Sequence, residues 1–140
     1  MSRTKRIFTC LLVLVLLVST LATTVYAYEI NCGSGGSSWQ RTYKIYKAWG
    51  SSIKISRMSS GTLTNGVTNT SNYGKFTYSV KNASGSVVAS GTWNAQTKSS
   101  VTLVGAFKAA GYYTVTVSKA TYSTSLYTGW VTWPKYKLTW

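Results

Sequence analysis

The sequence predicts an all-β fold, a single-domain antiparallel β-sandwich or small barrel of about seven to nine short strands. Three observations point there. Runs that alternate apolar and polar residues recur along the chain. Clusters of Gly, Asn and Ser break them at the spacing of strand connections. Past residue 27, no stretch joins a helical apolar stripe to a capping residue.

The clearest run extends from Tyr73 to Ala120 and reads as strands in series: YGKFTYSV, SVVASGTW, SVTLVG and YYTVTVSK. Phe76, Tyr78 and Val80 fall on one face, and Thr77, Ser79 and Lys81 on the other. The link Asn82-Ala83-Ser84-Gly85 predicts a hairpin with a four-residue loop. Farther on, Tyr113, Val115 and Val117 oppose Tyr112, Thr114 and Thr116.

Residues 1–27 have the build of a secretory signal: basic Arg3, Lys5 and Arg6, an apolar core from Cys10 to Val18, and Val25-Tyr26-Ala27 as a cleavage site. The protein is therefore expected outside the cell, extracellular or wall-associated, beginning at Tyr28. An uncleaved anchor is the alternative, but Ile7 to Val18 is shorter than the ~18 to 20 residues that span a bilayer. Residues 28–38 read as a flexible leader, Gly- and Ser-rich from Asn31 to Ser38, and the sandwich domain as 39–140. With Cys10 in the signal, Cys32 is left alone, so an internal disulfide is not expected.

Tyr43 and Ile45 alternate with Lys44 and Tyr46, and Ile53 with Lys54, which predicts two short strands across a Gly50-Ser51-Ser52 turn. A helix over 41–49 is disfavoured by its aromatic and β-branched content. Asn65-Gly66 suits a tight type I′ hairpin tip or a mobile loop. Near the end, Tyr127, Val131 and Trp133 alternate with Leu126, Thr128 and Trp130. Pro134 marks a strand end or edge. The tail KYKLTW sets Lys135, Lys137 and Thr139 against Tyr136, Leu138 and Trp140, as a last strand or as an edge open to pairing between molecules.

Chemistry is bounded by what is missing. The chain has no His and no Asp, and its one acid is Glu29. Paired-carboxylate glycosidases, His-dependent triads and zinc or calcium centres all need residues that it lacks. Ser51-Ser52-Ile53-Lys54 matches S-x-x-K, but S-D-N and K-T-G do not accompany it. No enzyme activity, cofactor or metal is expected.

Fifteen Lys and Arg stand against Glu29, a net charge of +14. After removal of residues 1–27, twelve bases remain against one acid, a net of +11. So one-sided a balance implies long-range attraction to an anionic partner. Six Trp and eleven Tyr accompany it, several beside bases, as in Tyr43-Lys44 and Tyr46-Lys47. Such rings suit a boundary between a dry and a wet phase, or stack on sugars and bases. Lys44, Lys47, Lys135, Lys137, Tyr136 and Trp140 are the candidate anion- and envelope-binding residues.

The leading expectation is a secreted cationic module for anionic bacterial envelope components, polymer or lipid headgroups, with an antimicrobial or wall-retention role. The build is similar in outline to small all-β bacteriocins with a secretory signal and a Trp-ended tail, without a motif matched residue by residue. A polysaccharide-binding module with stacking Trp and Tyr is the alternative, as is a structural extracellular assembly protein. Export and the lack of a recognisable motif weigh against nucleic acid.

Overall fold

The computed structural model describes residues 2–5, 26–31, 39–119 and 129–140. The predicted signal core, both cysteines, the Gly-rich run 33–38 and Tyr127 lie outside the described residues. Alternation governs the remainder, because apolar residues at every second position bury one face of a sheet against another. Eleven strands form among the described residues: β1 Ala27–Asn31, β2 Gln40–Lys47, β3 Ile53–Ser59, β4 Gly61–Thr64, β5 Asn69–Asn72, β6 Lys75–Lys81, β7 Val87–Asn94, β8 Ser100–Val104, β9 Gly111–Lys119, β10 Gly129–Thr132 and β11 Lys135–Thr139. The count exceeds the expected seven to nine; β1 lies across the expected signal end and leader, and β5 has no apolar residue.

Two four-stranded antiparallel sheets, ordered β1-β11-β3-β8 and β2-β9-β6-β7, pack face to face, and a three-stranded sheet β10-β4-β5 extends the fold. The all-β sandwich expectation holds. Between the main sheets lie Ile30, Ile53, Ile55, Leu103, Tyr136 and Leu138 from one side, and Ile45, Phe76, Val80, Trp93, Tyr113, Val115 and Val117 from the other. Tyr136 is the hinge of this packing, with its ring 4.5 Å from Phe76 and 5.3 Å from Trp93, both edge-on. Such aromatic pairs add about 0.5–1.5 kcal/mol each beyond the buried area.

The run from Tyr73 onward forms β6 to β9 with the expected faces: Phe76, Val80, Tyr113, Val115 and Val117 are buried, while Thr77, Lys81 and Tyr112 are exposed. The β6–β7 link spans residues 82–86, one residue longer than expected, and the register slips between Val80 and Lys81 just before it. Asn82 Oδ1 organises this link, accepting from the Ser84 hydroxyl at 2.7 Å and the Ser86 amide at 3.0 Å.

Four expectations need correction. The chain enters the fold before Trp39: residues 27–31, partly assigned to a leader, pair in register with β11 and bury Ile30. The tail is not an edge, since β11 is hydrogen-bonded to β1 on one side and β3 on the other, leaving it no free ladder for another molecule. The Asn65-Gly66 hairpin has a four-residue tip, Thr64 facing Asn69. Only Gly66 takes positive φ there, and Asn65 Oδ1 caps the amides of Val67 and Thr68. Finally, Trp130 and Trp133, expected on opposite faces, stack at 5.5 Å because the register slips in β10.

Candidate functional site

Antiparallel pairing brings three loops to one end of the sandwich. Lys47 faces Gly111 where β2 meets β9, Ile53 faces Val104 where β3 meets β8, and Lys81 faces Thr114 where β6 meets β9. The connecting segments 48–52, 82–86 and 105–110 therefore cluster there. Each joins strands of alternating apolar residues, yet two of them carry a large ring at the tip.

Those rings are Trp49, 67% exposed, and Phe107, 86% exposed, held edge to face with centroids 6.4 Å apart. They lie fifty-eight positions apart in the chain (107 − 49); a buried lysine holds their loops together. Lys47 is wholly buried, and its Nζ donates to the carbonyls of Ala48 at 3.2 Å, Ala106 at 3.3 Å and Lys108 at 2.9 Å. One ammonium thus grips the residue before Trp49 and both neighbours of Phe107. Desolvation pushes its pKa below the ordinary lysine value. Gly50 completes the junction: its positive φ of 80° turns the loop so that its amide reaches the Ala106 carbonyl at 3.2 Å.

Three bases lie towards this end: Lys108 follows Phe107 in its loop, and Lys44 and Lys81 stand on the adjoining strands. Lys44 lies with its Nζ 4.9 Å from the Tyr112 ring centre, and Tyr112 packs edge-on against its cross-strand partner Tyr46 at 5.2 Å. Lys44 and Lys81 both register against Thr114, so they flank it on the outer face of the β2-β9-β6-β7 sheet. A pocket of about 620 Å³ opens at this end, with Asn82, Ser84, Val88, Leu103, Val104 and Lys108 among its lining. No acid belongs to any of the three loops.

The structure divides the sequence-predicted residues. Lys44, Lys135 and Lys137 are exposed and Trp140 is half-buried. Lys47 and Tyr136 are buried, which removes them from any binding surface; the first ties loops together and the second fills the core. Lys135 and Lys137 share the outer face of the other sheet with Lys54, so they and Lys44 lie on opposite sides of the sandwich. Lys135 is also 3.2 Å from Glu29, the acid of the chain. Trp140 stacks on Tyr26 at 5.9 Å and against Tyr28 at 4.8 Å, while its backbone exchanges two hydrogen bonds with Tyr26.

Trp49, Phe107, Lys81 and Lys108 were missed. Their signal was a large ring inside a turn segment, AWGSS and GAFKAA, where no core face exists to receive it. The S-x-x-K match spans a turn and the start of β3, where the Ser51 hydroxyl donates to the Ala48 carbonyl at 2.9 Å. Among the described residues, no three metal-ligating side chains gather. Comparison with known proteins found no family model, curated protein or solved structure that matches the chain.

Proposed function

We propose that the chain is a secreted cationic β-sandwich that binds anionic components of the bacterial cell envelope: teichoic acids, phospholipid headgroups or pyrophosphate-linked wall precursors. We extend this reading to an antimicrobial, bacteriocin-like action or to retention on the producer's wall. The charge balance carries this reading: twelve of the fifteen bases lie beyond residue 27 and face one acid, and that acid is engaged by Lys135. The exposed bases are dispersed over both outer faces and the loop end, so the total charge and not a common patch supports the reading. Near such a surface each base contributes about 1 kcal/mol.

The polysaccharide alternative has less support from geometry. Stacking on a sugar chain calls for exposed rings in a common plane, and Trp49 and Phe107 are inclined at 64°. Salt separates the two readings. Pull-down by isolated Gram-positive walls should weaken at least tenfold between 50 and 500 mM sodium chloride, because screening cuts charge-led attraction. Retention that ignores salt, or equal retention on neutral cellulose, refutes the envelope reading.

A further inference from the structure

We infer that the loop end is a docking surface for anionic phospholipid bilayers: Trp49 and Phe107 enter the headgroup boundary while Lys44, Lys81 and Lys108 meet lipid phosphates. This rests on the envelope reading and names the component that this end recognises.

Isolated apolar side chains on a surface are ordinary, but this pair is not isolated. Two loops from distant parts of the chain present neighbouring rings at the same end, and the rings touch each other rather than the core. Val67 supplies the contrast. It is 95% exposed, yet it sits alone in the β4–β5 tip between Gly66 and Thr68, with no base in that loop.

The occupant follows from chemistry on both sides of the boundary. Trp and Phe favour a site with an apolar layer below and water above, which a bilayer offers and a dissolved phosphate polymer does not. Lys108, in the Phe107 loop, then meets the anionic headgroups first, with Lys44 and Lys81 behind it on the outer face of the sheet, and no acid in the three loops opposes them. A bilayer of neutral lipids receives the rings but leaves those bases unrewarded. Lys47 adds the mechanical part. By binding Ala48, Ala106 and Lys108 together it fixes both tips before contact, so little ordering is required on docking.

The test uses the purified chain with vesicles of phosphatidylglycerol and phosphatidylcholine in equal parts, phosphatidylcholine vesicles, and lipid-free poly(glycerol phosphate). Wild type should sediment with the mixed vesicles and not with phosphatidylcholine alone. The double variant Trp49→Ser/Phe107→Ser should lose at least tenfold in vesicle affinity while its polymer binding changes less than twofold. Since both rings are exposed, its thermal melt should match wild type. In a second measurement, brominated phosphatidylglycerol should quench part of the wild-type tryptophan emission, and Trp49→Phe, which keeps a ring in place, should abolish that part. Vesicle binding by the double variant equal to wild type, or quenching unchanged in Trp49→Phe, overturns the inference. Wild type that binds the polymer but not the vesicles overturns it too, and leaves the envelope reading standing. Binding to neither removes both.

Discussion

A lysine ammonium enclosed by three backbone carbonyls is stable only because those carbonyls replace the water it lost. Replacing Lys47 with Met leaves the Ala48, Ala106 and Lys108 carbonyls without that donor, at a cost of about 1–3 kcal/mol read from urea unfolding. The pH dependence has a definite sign. Burial holds the folded-state pKa below 10.5, so between that lowered value and 10.5 the unfolded chain carries more protons. The Lys47 contribution to stability therefore rises with pH through that window and levels off above it. Urea midpoints of wild type and Lys47→Met should draw apart as pH increases from 7 to 10.5; a constant gap would mean that Lys47 titrates alike in both states. This burial was legible in principle. Tyr43, Ile45 and Lys47 share the parity of an inward strand face, just as Tyr136 shares it with Leu138. Position in the strand, and not the cationic or amphipathic character of the side chain, decides that both face inward.

At the scale of elements, strands with strict alternation were readable and those with interruptions were not. The series β6 to β9 emerged because every second residue is apolar, whereas β5 reads NTSN with no apolar residue at all. That strand exists because β4 offers it a ladder, which is a property of the neighbour and not of the segment. The β4 strand is itself tightly placed. A methyl group at Gly61 would come within 2.5 Å of the Thr132 carbonyl oxygen and of the Trp130 ring, and 2.6 Å from Pro134. Gly61→Ala should therefore lower stability by about 1–3 kcal/mol through overpacking, seen as a reduced melting temperature. Arg57 plays for the opposite end the part that Lys47 plays for the loop end. It donates to the Ala95 carbonyl at 3.0 Å and lies 4.4 Å from the centre of the Tyr73 ring, fixing the turn after β7. Two bases that a charge count assigns to an outside partner are thus partly or wholly engaged within the fold. The loop-end aromatic pair stayed hidden for a different reason. Trp49 and Phe107 become neighbours only through the pairings β2–β9 and β3–β8, which no local pattern specifies.

For the whole molecule, the consequence of one-sided charge is testable without disturbing the fold. Glu29 and Lys135 form an exposed pair, which contributes little to stability. Glu29→Gln should change unfolding free energy by less than about 0.5 kcal/mol. The same change removes the sole acid, and near an anionic surface about 1 kcal/mol corresponds to roughly fivefold tighter wall binding at low salt. Unchanged affinity would show that Glu29 and Lys135 lie clear of the contact. Deleting residues 135–140 acts on the architecture itself: it withdraws the strand between β1 and β3, and circular dichroism should show no cooperative melt. That central slot also sets a schedule. Its occupant begins 104 positions after β1 ends (135 − 31), so β1 must wait for that whole stretch to be synthesised before it gains its neighbour. Any channel that still grips β11 holds a gaping molecule, pliable enough to be threaded, and closure comes only at its release.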